Sequence, residues 1–547
     1  MWRLGRFWRT IKYLRLQQVM GRIRLRLAKP RLDLSPAPQL RQMEGSWSLP
    51  ARRRPSMTSP IGFRLLNSEG DLLRHGWGGE TKPRLWRYNQ HYFDDLNAYA
   101  AEDRRQWHSD LLGQWVTDNP PASGVGWESY PTSLRIVNWV KWALANNALS
   151  DEVIHSLAVQ SRWLRKRLEW HLLGNHLFAN AKALVFAGLF FSGEEADAWL
   201  RTGVEILHEQ LPEQVLDDGA QFELSPMYHA LALEDLLDLV NVTRAYGRDN
   251  LAREFASRIS AMLKWLLGMS HPDGDVAFFN DAAIGIAPGN AELLRYAQDL
   301  GFNLEPPADG ITYHVQSGYL RMALGPAVVV ADLARIGPDY LPGHAHADTL
   351  SFELSLYGKR FVVNSGTSVY GTGPERQRQR GTAAHSTLVV DDEDSSEVWS
   401  GFRVGRRAKP FDVAAYEDGT NLIAHGAHDG YTHLPGSPVH RRRWRLSEDR
   451  LFVEDTVEGF GAHQLEAYFH LGPGICTVAE TANGIVELRD INSGHQATFS
   501  AEGGTVEVMP SSWHPEFGLS VATKVIRVSA EVSLPHTLRC ELAWSAQ

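Results

Sequence analysis

Pro342-Gly-His-Ala-His-Ala-Asp348 runs straight into Thr349-Leu-Ser-Phe-Glu-Leu-Ser-Leu-Tyr357. The second segment alternates apolar and polar residues with a period near two, which predicts a half-buried β-strand. His344, His346 and Asp348 then stand where a loop enters a strand, and alternate residues share a face. Two imidazoles and a carboxylate side by side form a metal-ligand set or an acid/base set. The bland alternative is a polar cluster that pins the loop.

Outward from this stretch the hydrophobic period differs on its two sides. From about 85 to 305 apolar residues recur at helical spacing, in runs at 151–171, 176–192, 194–211, 228–246 and 251–269 with short connectors. Successive helices with short loops pack antiparallel, and a long series closes on itself or forms a solenoid. No fixed-length solenoid repeat is visible, so an incomplete (α/α) toroid is expected. Near 311 the period changes. Strands are expected at 318–324, 327–333, 350–356, 360–363, 386–390, 443–446, 451–454, 465–471 and 523–528. Short strands with turn signals between them predict an antiparallel β-sandwich. The fold class is therefore α+β by segregation, with the toroid at 61–310 and the sandwich at 311–547. Residues 1–60 form a basic N-terminal helix and linker.

Composition narrows the function. Hydrophobic content of 43% and charged content of 22% are those of a globular domain, and a net charge of -9 argues against general nucleic-acid binding. Eighteen Trp residues suit stacking on sugar rings as well as a core. Cys476 and Cys540 could pair, but two cysteines exclude a disulfide framework and argue against a Cys-based zinc site. No apolar run reaches the ~20 residues of a membrane-spanning helix. Residues 1–30 hold nine Lys or Arg and no acid, with Trp2, Phe7, Trp8, Ile11 and Leu14 at spacings a helix segregates. Such a helix lies on an anionic membrane or docks on its own protein, and both remain open. With no h-region or cleavage site, an ordinary secretory signal is not expected. A cytoplasmic or inner-membrane-associated location is favoured, with the periplasm or cell envelope as the alternative. Residues 31–60, rich in Pro, Ser and Arg, look like an extended linker.

In the helical half, Leu173-Gly-Asn-His-Leu-Phe-Ala-Asn180 puts Asn175 and His176 at the start of an apolar helix, with Asn180 one turn beyond. An N-cap would explain Asn175 alone. Phe222-Glu-Leu-Ser-Pro-Met-Tyr-His-Ala230 places Tyr228 and His229 in the first turn of another helix. Trp127 and Tyr130 stand near Arg135 and Asn138. An Arg beside aromatics suits a sugar carboxylate, and equally a buried ion pair.

Gly174-Asn-His-Leu with Asn-Ala-Lys-Ala, Ser-Pro-Met-Tyr-His, Gly-His-Ala-His-Ala-Asp and Ala384-His-Ser-Thr387 follow one another in an order that resembles the heparinase II/III-like family of heparin, heparan and alginate lyases. Trp86-Arg-Tyr-Asn-Gln-His-Tyr-Phe-Asp94, Gly430-Tyr-Thr-His-Leu and His440-Arg-Arg-Arg-Trp444 resemble a branch linked to bacterial surface-polysaccharide synthesis. The resemblance spans roughly 85–480 and implies the same toroid and sandwich. It also implies β-elimination on an acidic, uronic-acid polysaccharide. Asn175 and His176 would neutralise the substrate carboxylate, Tyr228 would be the acid, or both acid and base in a syn elimination, and His344 would supply charge or be the base. Tyr370 is a second tyrosine candidate. Substrate contacts are expected from Trp127, Tyr130, Arg135, Asn138, Asn180 and Tyr370.

Several members of that family carry a structural zinc, whose ligands would map to His346, Asn364 and His385. Asn364 stands where the family typically has Asp, and an amide oxygen is the poorer ligand. Zinc is thus left open, with Asp348 and Asp332 as the residues that could compensate. No organic cofactor is expected. Two other functions compete: a metal-dependent hydrolase built on His344-Ala-His346, opposed by the lack of β/α alternation after 310, and a catalytically degenerate polysaccharide-binding or assembly protein. The intact Asn175, His176, Tyr228 and His344 set opposes the latter.

Overall fold

The computed structural model describes residues 2–303, 305–480 and 484–545. Its helical half is built on Ser129–Leu144, Asp151–Lys166, Gly174–Phe190, Glu194–Gln214 and Pro226–Ala245. The Gly174–Phe190 helix is buried along nearly its whole length, with Asn175, His176, Asn180 and Lys182 its polar side chains, so it sits at the centre, packed by Ser129–Leu144, Glu194–Gln214 and Pro226–Ala245. The Asp151–Lys166 helix shows how ends are set. Ser150 accepts a hydrogen bond from the Val153 amide, acids fill the first turn, and Arg165 and Lys166 fill the last, matching the helix dipole. The run expected at 251–269 is two helices, Asp249–Ala256 and Ile259–Gly268.

The change of period near 311 falls between the helix Asn290–Asp299 and the strand Gly310–His314. Two antiparallel sheets follow. One runs from Thr505–Trp513 through Val521–Ser533, Ala462–Leu471, Lys359–Val363, Phe352–Leu356, Ala327–Asp332 and Tyr319–Leu324 to Gly310–His314. The other runs from Pro410–Asp418 to Ile475–Glu480, with Arg450–Glu458 beside His536–Trp544 at its middle. Phe352, Leu354, Trp444, Phe469 and Phe499 fill the space between them.

One strand departs from expectation in an informative way. Phe352–Leu356 is buried on both faces rather than half-buried. Its polar residues face the toroid: Glu353 accepts hydrogen bonds from His271 (2.7 Å) and the Phe278 amide (3.0 Å), and Ser355 meets the other His271 nitrogen at 2.8 Å. Polar alternation here marks a hydrogen-bonded seam between the two halves.

The expected linker is a strap. Arg41 and Gly45 donate backbone hydrogen bonds to Phe190 and Ala245, Ser48 pairs with Asn241, and Arg52 and Arg53 pair with Glu292 and Glu234. It leads into a small sheet, Met57–Ser59, Gly62–Leu65 and Ser68–Asp71, that the hydrophobic pattern does not announce. Before it lie two helices, Trp2–Ile11 and Leu16–Leu27, instead of one. They dock through Arg6 and Arg9 on Glu397, Gln18 on the Tyr340 carbonyl and the Arg15 guanidinium 3.6 Å from the centre of the Tyr340 ring. Their outer side exposes Phe7, Trp8, Leu16, Met20, Ile23 and Leu27. The Trp2 side chain lies outside the described residues. Cys476 and Cys540 are unpaired thiols.

Candidate active site

Four chain segments meet where the sandwich covers the toroid. Asn175 and His176 lie in the first turn of Gly174–Phe190, and Tyr228 in the first turn of Pro226–Ala245. His344 comes from the loop before Phe352–Leu356, and Tyr370 from the segment before the helix Pro374–Arg380. Asn175, Tyr228, Tyr370, Tyr130 and Asn138 line one cavity.

The loops that deliver these groups carry backbone strain. Leu173, Leu224, Asn280 and Leu350 all have positive φ, between 55° and 65°, a conformation that costs a non-glycine residue about 1–3 kcal/mol. Asn280 over-determines it. Its side chain donates to the Leu224 carbonyl (2.9 Å) and accepts from the His346 amide (2.9 Å), while its own amide donates to Asp348 (2.8 Å).

Asn175 is not an N-cap, because the helix begins at Gly174 after Leu173. Its side-chain amide is left for the cavity, while its backbone N–H serves Glu223. His176 packs on the Tyr130 ring, with centroids 4.4 Å apart, and its Nδ1 lies 3.1 Å from Glu169. Burial would lower the His176 pKa, but Glu169 outweighs it and raises the value. Asn180 is the support behind this pair, donating to Glu169 (2.9 Å) and accepting from its amide (2.8 Å).

Tyr228 stacks on His344 with ring centroids 4.0 Å apart, and its hydroxyl is 3.0 Å from that of Tyr370. Burial raises the Tyr228 phenol well above its ordinary value, so it is neutral at ordinary pH. His344 Nδ1 lies 2.9 Å from Asp281. Asp281 is fully buried, and burial alone would raise it, yet Arg376 foremost, with His344 and His346, holds it well below the carboxylate range. An ionised Asp281 accepts a hydrogen bond from His344 Nδ1, so Nε2 is the nitrogen turned away from it. That nitrogen faces Glu223 at 3.7 Å. Burial raises the Glu223 carboxyl, and its Oε2 has no hydrogen-bond partner.

The metal question resolves into geometry. His346 Nδ1 lies 3.0 Å from His385 Nε2, and His346 Nε2 lies 2.8 Å from Asp281. His385 spends its Nδ1 proton on the Gly381 carbonyl (2.9 Å), so both His346 nitrogens face acceptors. Burial lowers His346 to about 4 and His385 to about 3. A neutral imidazole has one proton for those two acceptors, and a cation between the two rings would resolve the shortage. Asp348 completes the group, all ligand atoms lying within 4.8 Å of one another. Asn364 does not fit the ligand role expected of it. Its oxygen accepts from the Ser386 amide (2.9 Å) and its nitrogen donates to the Phe278 carbonyl (2.9 Å).

Two expected sugar contacts are corrected. Trp127 is buried and donates to the Asn119 carbonyl. Arg135 is fully buried, 3.8 Å from the Trp115 ring centre and bonded to Gln160. An Arg stacked on indole serves a core as well as a sugar site, and here it serves the core. His229 is likewise structural, bonded to the Met262 carbonyl. Glu169, Glu223, Asp281 and Arg376 were not singled out from sequence.

A helical toroid capped by an antiparallel sandwich is the architecture of solved polysaccharide lyases. A heparinase III structure superposes with a TM-score of 0.68 at 18% identity, over 86% of this chain and 79% of that one. Chondroitin AC lyase from Streptomyces coelicolor gives 0.52 at 11%, over 97% and 79%. At these identities the likeness speaks for the fold.

The chain belongs to the heparinase II/III family: residues 81–295 match its N-terminal domain (heparinase II/III N-terminus) and 306–544 its C-terminal one (heparinase II/III-like, C-terminal). Among its relatives, the heparin-sulfate lyase of Pedobacter heparinus is 30% identical over 361 residues, 59% of this chain and 50% of that protein. That of Bacteroides stercoris is 27% identical over 363 residues, 62% and 52%. The chain thus spans about half the length of the curated relatives it matches.

Proposed function

We propose that this chain is a carbon–oxygen lyase cleaving a uronic-acid polysaccharide by β-elimination, in bacterial surface or exopolysaccharide metabolism. The observation that carries this is the convergence of Asn175, Tyr228 and Tyr370 on one cavity, with the His344 ring, paired to Asp281, stacked on Tyr228. The proton on C5 of a uronate is weakly acidic, and its removal puts negative charge on the carboxylate, which must be met by fixed donors. The Asn175 side-chain amide and the His176 imidazole, whose protonated form Glu169 favours, meet it. His344 takes the C5 proton on Nε2 as C4=C5 forms, and neutral Tyr228 protonates the glycosidic oxygen as C4–O breaks. The heparin-sulfate lyases among the relatives support the reaction class. The test is ultraviolet absorbance of the conjugated product on alginate, heparosan, hyaluronan and the host's own surface glycan, beside Tyr228→Phe. Product that the variant abolishes supports the assignment. Binding of the host glycan without product would favour a binding or assembly protein.

We also propose a zinc ion held by His346, His385 and Asp348. Its contribution would be a clamp on the loop that carries His344. Metal analysis of the purified chain and the fall in Tm on chelation read this without reference to activity.

For location we propose peripheral contact with an anionic membrane, at its cytoplasmic side. Trp8 is 65% exposed, Leu16 and Leu27 76% each, on helices whose other side already docks. Apolar side chains among basic ones fit a charged lipid surface. Co-sedimentation with phosphatidylglycerol vesicles but not phosphatidylcholine, lost in Trp8→Glu, is the expected result.

A further inference from the structure

We infer that the sugar bound on the toroid side of the scissile bond carries no sulfate or other anionic group and is held through hydroxyl or amine donors; this rests on the lyase function proposed above. The cavity that holds Asn175, Tyr228 and Tyr370 continues into the toroid, where Arg53, Lys141 and Lys182 line it. Three cations would suit a polyanion, yet each is committed. Lys182 lies 2.6 Å from both Asp235 and Asp238. Lys141 pairs with Asp238 and lies 3.6 Å from Glu234. Arg53 is 2.5 Å from Glu234 and 3.7 Å from Asp94.

Exposure then decides what a sugar meets. The Lys141 and Lys182 side chains are 3% and 5% exposed and Arg53 17%, whereas Asp235 is 21% exposed and Asp94 28%. Four carboxylates surround three cations, and the two most open groups are carboxylates. A sulfate there would face like charge, or would have to strip a buried cation from its partner and strand a carboxylate. Hydroxyl and ammonium groups instead donate charge-assisted hydrogen bonds to Asp94 and Asp235. The neighbouring arginines lie off this cavity: Arg52, paired with Glu292, and Arg54, paired with Glu516 and 64% exposed, line an adjoining hollow. Arg64 is exposed on the rim of that hollow. The uronate carboxylate is provided for separately, at Asn175 and His176.

The experiment is calorimetry on the full chain carrying Tyr228→Phe, with tetrasaccharides of heparosan, chondroitin and alginate and their sulfated counterparts on the same backbones. At least one unsulfated tetrasaccharide should bind, with its sulfated counterpart at least about tenfold weaker, as like-charge juxtaposition demands. Asp235→Asn, and separately Asp94→Asn, should narrow that gap, with circular dichroism confirming that each is folded. Equal or tighter binding of the sulfated form overturns the inference, as does failure of every unsulfated series to bind. Unsaturated product from the wild-type chain is scored separately. Selective binding without product would sink the lyase function and keep the charge selection, while product without selection would do the reverse.

Discussion

The chain builds the same set of four residue types twice, and only the copy at the seam keeps a partly exposed imidazole. In the sandwich, His440 Nε2 lies 2.6 Å from Asp455, Arg442 donates to both Asp455 oxygens (2.6 and 2.8 Å), and His428 lies 3.1 Å from His440. At the interdomain seam, His344, Asp281, Arg376 and His346 repeat that chemistry. The sandwich copy is sealed. His440, His428 and Asp455 are fully buried, His428 Nδ1 accepts from the Gly430 amide, and Arg442 ties the far sheet to the carbonyls of Leu350 and Ser386. At the seam, the His344 side chain keeps 14% exposure and a tyrosine ring 4.0 Å away. Residue types alone therefore do not make a reactive centre. What sets the seam copy apart is a partly exposed imidazole whose second nitrogen faces Glu223 at 3.7 Å rather than a backbone or histidine partner, with the Tyr228 ring stacked on it.

Tyr228→Phe should sharpen this contrast most. The loss in kcat is expected at about 10²- to 10⁴-fold, the worth of one general acid, with Tm nearly unchanged because the ring packing survives. Equivalent removals at the two carboxylates should then diverge. Asp455→Ala strands Arg442 in the core and should cost about 3–5 kcal/mol of stability, while kcat per folded molecule stays at the wild-type value. Asp281→Asn should lower kcat in the molecules that remain folded, because the proton of His344 is no longer held on Nδ1. A full-activity Asp281→Asn enzyme would erase the distinction between the copies.

A smaller effect concerns pH. His176 is held above its ordinary value by Glu169, so its protonated form persists to higher pH and is lost as pH rises through that raised value. In Glu169→Gln the burial effect, which lowers the value, is opposed only by the smaller pull of Glu223. The alkaline limb of kcat/KM should move to lower pH, and an unmoved limb would remove His176 from the role of carboxylate partner. The smallest effect is expected at Gly174, where φ is +54° and a Cβ would come within 2.3 Å of Leu341. Gly174→Ala should cost about 1–2 kcal/mol from the left-handed backbone alone, measured as a fall in Tm.

The two-part fold was legible because the change from helical to alternating spacing near 311 is long-range and redundant over many elements. Asn175, His176, Tyr228 and His344 were legible because they sit in distinctive local runs. Asp281 was not, being one acid in Phe279-Asn-Asp-Ala282 whose partners lie 63 and 95 residues away. Glu169 and Glu223 were hidden for the same reason, since nothing local tells a carboxylate that tunes a histidine from one that meets water. Trp127 and Arg135 misled because stacking of guanidinium on indole reads alike in a groove and in a core. The strap and the small sheet at 57–71 were illegible because their hydrogen bonds are made to distant helices and turns rather than to a periodic pattern of their own.

The docking of the N-terminal helices carries a consequence for the order of synthesis. Arg6 meets Glu397 across 391 residues of chain, and Gln18 meets Tyr340 across 322. A ribosome adding about 5–20 residues per second needs tens of seconds to deliver those partners. Throughout that interval two basic helices bearing Phe7, Trp8, Leu16 and Leu27 exist without their seat, so a segment made well before its partners is placed only after them.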